Sequence, residues 1–170
     1  MMPTTVVVDT SVLINFLKID RMDLLGRYPG RFLATDHVAS EIEDDEQRVR
    51  YEEAVAAGYI ETCIVTDPDE VALYMRLGPG LRLGSGECSA IAVAIKRHHS
   101  IAIDDNKAVR RALREAGLAA TKLEVKRTPD VVVVLIRAGI LTIAEADSIK
   151  DLWAQRFRFR IKASSFRDLT

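Results

Sequence analysis

Cysteine is nearly absent from this 170-residue chain, which has only Cys63 and Cys88. Two are too few for a disulfide framework, and their spacing is not that of a thiolate metal site. Both lie in apolar surroundings, where cysteine serves as a small hydrophobe. Long apolar runs are missing as well, since no stretch approaches the roughly 20 residues of a membrane span. The first apolar run, Val6 to Leu17, is interrupted by Asp9 and lacks the basic leader of a signal peptide. A cytoplasmic protein with no membrane role is therefore expected. Net charge is small at −1, which removes any global electrostatic case for binding nucleic acid. Internal repeats, linkers and low-complexity segments are also absent.

What remains is an ordinary globular balance, 48% hydrophobic and 29% charged residues, in a chain long enough for one domain with a real core. The charge is unevenly placed: residues 1–95 carry a net −8 and residues 96–170 a net +7. Such asymmetry fits an acidic site beside a basic binding surface, and equally fits helices with solvated charges.

The β-branched run Thr5 to Val8 reads as a strand buried on both faces, ending at Asp9. A helix follows, with Val12, Leu13, Phe16 and Leu17 at helical spacing. Arg31 to Thr35 reads as a second strand, followed by a helix through Val38 and Ile42 that continues from Asp44 to Ala57 and stops at Gly58. Tyr59 to Val65 reads as a short strand or connector. Asp67-Pro68-Asp69-Glu70 opens a helix with proline and acids in its first turn. Gly78-Pro79-Gly80 breaks that helix, and Leu81 to Gly86 is a loop. A buried helix covers Glu87 to Lys96, and Ser100 to Ile103 forms a third strand. A basic amphipathic helix runs from Asn106 to Ala116, closed by Gly117. Leu118 to Lys122 is a fourth strand candidate, and two helices follow, Pro129–Ala138 and Ile143–Trp153. Phe157 to Ile161 alternates apolar and basic residues, as an edge strand or an interaction arm would. Strands alternating with helices imply an α/β fold with a mainly parallel central sheet between helical layers.

The acids fall at informative places. Ligands of such sheets bind at the carboxyl ends of the strands. Asp9 ends the first strand; Asp36 and Glu41 follow the second; Asp104 and Asp105 end the third. Glu87 enters from a helix N-terminus after Gly84-Ser85-Gly86. Each acid alone is explained by helix capping or a helix dipole. Acids at three strand ends are harder to explain that way. Carboxylates gathered in one crevice repel one another unless a cation is bound, and oxygen-only ligands favour hard ions such as Mg²⁺. Such a site can drive phosphodiester cleavage.

Val6 to Ile14, with its Val-Asp-Thr-Ser core, resembles the opening of PIN domains. Val38-Ala39-Ser40-Glu41-Ile42 resembles their second motif, Leu83 to Ala94 their third with Glu in place of the more usual Asp, and Ile101 to Asn106 their fourth. The resemblance covers roughly residues 5–140 in the right order. It implies a three-layer α/β/α nuclease domain over 1–155 with a basic C-terminal tail, 156–170. It also implies a ribonuclease cleaving single-stranded RNA with Mg²⁺ or Mn²⁺, leaving a 5′-phosphate, often as a homodimer and sometimes as a toxin with an antitoxin-like protein. Asp9, Glu41, Glu87 and Asp105 would be the catalytic acids, with Asp9, Glu87, Asp104 and Asp105 around the metal. The fourth acid stays open between Asp104 and Asp105. Ser11 and Asn106 would support the site. The usual Thr-x-Asp and following aromatic are replaced by Ile103-Asp104-Asp105 and Asn106-Lys107-Ala108, a departure from typical toxins.

Lys107, Arg110, Arg111 and Arg114 are placed to follow RNA phosphates, or to form a solvated helix face. Arg156, Arg158 and Arg160 offer a second basic surface. A haloacid-dehalogenase-like phosphatase also begins with a strand-end Asp but needs Asp-x-Asp, where this chain has Ser11. A receiver domain needs paired acids directly after the first strand. A PIN-fold module that binds nucleic acid or protein with weak or no catalysis is the non-enzymatic alternative.

Overall fold

A computed structural model describes residues 2–78, 80 and 82–170. The opening β-branched run forms β1 (Thr5–Val8), with Val6, Val7 and Val8 fully buried. Its neighbours are β2 (Arg31–Thr35), β3 (Glu61–Cys63), β4 (Ser100–Ala102) and β5 (Val125–Lys126), in the order β3-β2-β1-β4-β5. All four pairings are parallel. The chain winds from β1 outward to β3, then returns beside β1 and winds out the other way. The strand order therefore reverses between β1 and β4, the place where sheets of this kind bind ligands in a crevice at the strands' carboxyl ends.

Between the strands run α1 (Thr10–Lys18), α2 (Asp23–Arg27), α3 (Asp36–Ser40), α4 (Asp45–Ala56), α5 (Pro68–Leu77), α6 (Ser85–Lys96) and α7 (Asn106–Leu118). After β5 come α8 (Thr128–Arg137), α9 (Ile143–Arg156) and a 3-10 turn at Phe166–Asp168. In one layer α6 lies across β1, β2 and β4 and packs on α3, α5 and α7. Its residues from Cys88 to Ile95 are all buried, because sheet and neighbouring helices cover it on every side. Polar contacts join α1, α8 and α9 in the other layer. The Asn15 amide donates to Thr128 Oγ1 at 3.0 Å, and the Trp153 indole donates to the Asn15 carbonyl at 2.8 Å. Trp153 is fully buried, with Phe16 and Phe159 edge-on at 5.7 and 5.4 Å.

Several sequence-based boundaries shift for local reasons. The helix after β2 is cut in two: α3 ends at Ser40, and α4 restarts at an N-cap where Asp44 accepts from the Gln47 N–H. Gly117 does not close α7, which runs on to Leu118; the reversal comes at Ala120, in the left-handed region with φ 50°. Leu118 to Lys122 is therefore no strand: Leu118 is 71% exposed, and the fifth strand forms at Val125–Lys126. α2 carried no sequence signal long enough to mark it. Gly78 ends α5 at φ 71°, a conformation suited to glycine, while Pro79 and Leu81 lie outside the described residues. Cys88 is fully buried, with its thiol pushed by burial up to about 11, and Cys63 is half-buried; neither forms a disulfide.

Trp153 ties α9 to α1 both by packing and by one hydrogen bond. Trp153→Phe keeps most of the apolar contact but leaves the buried Asn15 carbonyl unpaired. A loss of about 1–3 kcal/mol is expected in denaturant unfolding. An unchanged midpoint would show that the bond contributes nothing.

Candidate functional site

Asp9 continues the β1 ladder, its N–H donating to the Ala102 carbonyl at 2.9 Å, and caps α1. Only 1% of its surface is exposed. The Ser11 N–H and hydroxyl donate to its Oδ2 at 3.0 and 2.6 Å. Its Oδ1 is buried with no hydrogen-bond partner among the described residues. A buried carboxylate oxygen with no donor is costly unless something outside the chain meets it. Burial is the main force raising the Asp9 proton affinity, and the charge of Glu41 adds to it against the Ser11 hydrogen bonds.

Glu41 stands at the C-cap of α3, where one oxygen accepts from the Thr10 hydroxyl at 2.9 Å and the other from the Gly86 N–H at 2.8 Å. The glycines of Gly84-Ser85-Gly86 make this approach possible. A Cβ at Gly84 would stand 2.9 Å from the Glu41 carboxylate, and one at Gly86 would overlap it. Glu87, in the first turn of α6, reaches back to accept from the Gly84 N–H at 3.0 Å, a capping contact. Its proton affinity is raised, chiefly by burial and further by the charges of Asp9, Asp105 and Glu41. These four acids therefore share one electrostatic environment.

The two adjacent acids after β4 part company. Asp104 accepts from the Thr128 N–H and hydroxyl at 2.8 and 2.6 Å and from the Asn15 amide at 3.1 Å. Both its oxygens thus accept hydrogen bonds from Thr128 at the start of α8 or from Asn15 of α1, which accounts for its carboxylate structurally. Asp105 caps α7 by accepting from the Ala108 N–H at 2.8 Å and stays exposed on the side of Glu87. Ser11 links the two strand ends, since its hydroxyl donates to Asp9 and accepts from the Asp104 N–H at 3.0 Å. Asn106 is exposed at the start of α7. Asp36 lies apart, lining a 520 Å³ cavity with Tyr51 and Cys63.

Among the described residues, no three Asp, Glu, His or Cys side chains are arranged as a metal cage. The acids rest instead on backbone and hydroxyl donors. Two observations nevertheless fit a hard divalent cation: the unpartnered Oδ1 of Asp9, and an oxygen-only donor set in which burial and neighbouring carboxylates raise the proton affinities of Asp9 and Glu87. Burial, with the neighbouring carboxylates adding to it, sets a pH dependence. With folded-state proton affinities raised, Asp9 and Glu87 destabilise the ion-free fold at neutral pH, and this penalty fades as pH falls through their raised range and is gone below the ordinary carboxylate range. Asp9→Asn keeps the cap, because Asn also caps helices. It should therefore melt above the wild type at pH 7 in chelator, with the gap closing as pH falls into the ordinary carboxylate range. A constant gap would show that the Asp9 charge is not the cause.

On the other side of Asp105, Lys107, Arg110, Arg111 and Arg114 of α7 line a 330 Å³ surface cavity with Arg82 and Leu83. Arg76 joins Arg82, Leu83 and Arg111 around the adjoining cavity. Glu115, buried beneath, pairs with Arg76 and with Arg111, the latter at 3.0 Å. Arg76 and Arg82 escaped the sequence reading because they sit in a different segment. So did Thr10 and Gly86, for which only the small residues around Glu87 gave a hint.

Strand-end acids at a topological switch point, inside a three-layer α/β/α sandwich, define the class of PIN-like folds. The DUF3368 family model, a PIN domain, matches residues 5–167, and the chain belongs to that PIN-domain family. A PilT N-terminus domain protein from the hyperthermophilic archaeon Sulfolobus solfataricus P2 has a similar structure, with TM-score 0.51 and 14% identity over 82% of this chain and 95% of that one. No curated protein matches the chain. PIN domains are generally nucleases that use divalent metal ions. No helix among the described residues is long and apolar enough to cross a membrane.

Proposed function

We propose that the protein is a Mg²⁺- or Mn²⁺-dependent endoribonuclease acting on single-stranded RNA. The observation that carries this reading is the buried, unpartnered Oδ1 of Asp9, in a carboxylate group where the charges of Asp9, Glu41 and Asp105 all act on Glu87. A divalent ion held there by Asp9, Glu87 and Asp105 would supply the charge that activates water and stabilises the leaving oxygen. The chain itself supplies orientation. Ser11 fixes the Asp9 carboxylate, while Thr10 and the Gly86 N–H fix Glu41. Lys107, Arg110, Arg114 and Arg82 offer their charges to the phosphates leading into the crevice. Fixed donors and cations of this kind lose nothing to reorganisation as charge builds on the phosphate.

Incubation of the full chain with a single-stranded RNA and Mn²⁺ tests the reading. Chelator-sensitive cleavage to products with 5′-phosphates is expected. Intact RNA, with RNA still bound, would instead favour the non-catalytic binding module, for which the parked arrangement of the acids is the supporting observation. Pairing into a homodimer or with an antitoxin-like protein belongs to the same proposal. Val71 and Met75, exposed one turn apart on α5, offer an apolar strip for either, and a monomer in sedimentation at micromolar concentration would remove the dimer.

A further inference from the structure

The basic residues after α9 belong to a docked arm. The chain turns at Arg158 with φ 56°, a conformation that costs a non-glycine residue about 1 kcal/mol, and the Phe159 N–H then donates to the Trp153 carbonyl at 3.1 Å. Phe157, Phe159 and Ile161 pack on the core, while Arg158, Arg160 and Lys162 face solvent. Further on, Asp147 accepts from the Phe166 N–H and the Ser165 hydroxyl, both at 2.7 Å, and Phe166 is fully buried. The segment between is thus pinned at both ends, and its alternation sorts apolar side chains inward and basic ones outward.

This path has a consequence at the strand ends. Arg160 and Lys162 come together with Arg127, the N-cap residue of α8, around an open cavity of 310 Å³ beside Asp104. Arg127 is held in place by donating to the Asp104 carbonyl at 2.6 Å. Two acids share the lining, but Asp104 has both oxygens occupied, and Asp130 accepts from the Arg127 N–H at 2.7 Å. From 156 to 162 the chain carries four cations and no acid. The cavity is linked to Asp9 through Asp104 and the Ser11 hydroxyl. It lies in the α1, α8 and α9 layer, whereas the α7 cations lie in the α6 and α7 layer. Cationic cavities thus flank the acid crevice on both faces of the sheet.

We infer that Arg127, Arg160 and Lys162 form a second phosphate subsite, which holds one backbone phosphate of the RNA after the strand has crossed the acid crevice from the α7 side. The inference rests on the ribonuclease reading and adds the direction in which the strand leaves. A solvated decoration would not need a strained turn and two anchors to hold it against α8.

The test is the salt dependence of affinity for a single-stranded RNA oligonucleotide, measured in an Asp9→Asn background so that the RNA stays whole. Arg160→Gln with Lys162→Gln should lower the slope of log affinity against log salt by about 0.7, the share of one single-strand phosphate, or about fivefold in affinity near 0.1 M salt. Lys122→Gln with Arg137→Gln removes the same charge from exposed positions elsewhere and should leave both unchanged. Melting temperatures identify any variant that fails to fold, and single replacements of Arg160 and Lys162 then replace the pair. Normal binding by the parent with no change in the arm variant, or an equal change in the control, overturns the subsite alone. Absence of binding by the parent overturns the ribonuclease reading together with it.

Discussion

Asp9→Asn is expected to lower Mn²⁺-dependent RNA cleavage by about a hundredfold or more, while the protein stays folded. Loss of groups that only orient metal ligands costs about 10–100-fold, and Asp9 is proposed as a ligand itself. Asn has nearly the same shape, accepts the Ser11 hydrogen bonds and caps α1 as Asp does. The substitution therefore removes a charge and little else. Because that charge is buried and repelled by Glu41, stability without metal should rise, so lost cleavage cannot be put down to unfolding. Initial rates and melting curves on the same preparation check both halves. Equal rates in wild type and variant would remove Asp9 from the chemistry.

Gly86→Ala should cost about ten- to a hundredfold in cleavage with little loss of stability. Glycine here is needed for close approach, since its backbone angle is ordinary for a helix. The Gly86 N–H holds one Glu41 oxygen at 2.8 Å, and a Cβ would occupy the space of that carboxylate. Glu41 would have to swing away from both its donors, and displacement of about 1 Å in an active site can cost about 10²-fold. Alanine is a better helix former than glycine by about 1 kcal/mol, which offsets part of the crowding in a melting experiment. Gly117→Ala is the control: a Cβ there meets nothing within 4 Å, so activity should be unchanged and stability slightly raised. A Gly86→Ala protein with full activity would show that the position of Glu41 does not matter.

Much of this architecture is legible in the sequence because the signals are local. Val6-Val7-Val8-Asp9 announces a buried strand and the acid at its end, since β-branched residues covered on both faces leave no alternation. Asp67-Pro68 marks the start of α5 for similar reasons, with a cap followed by proline in the first turn. Where structure and sequence pattern differ, a non-local or competing interaction decides. Gly117 looked like a helix stop, yet the chain reverses at Ala120, and the strand expected at Leu118 formed later, where Val125 and Lys126 could pair with β4. Asp104 and Asp105 are indistinguishable as neighbours in sequence. Their different fates depend on Thr128 and Asn15, more than 20 and nearly 90 residues away. The alternation from Phe157 to Ile161 and its basic residues are legible, but Arg127 and the docking of that arm are not, because the cavity they line exists only once α8 and α9 have packed on α1.

Every role proposed for the strand-end acids requires a divalent cation to bind around Asp9. Titration of Mn²⁺ into the metal-free full chain, followed by isothermal calorimetry at neutral pH, measures this without any assumption about RNA. Saturable binding is expected for the wild type, with loss of at least tenfold in affinity in Asp9→Asn and a similar loss in Glu87→Gln. No binding to the wild type, or isotherms that are the same for wild type and Asp9→Asn, would contradict it.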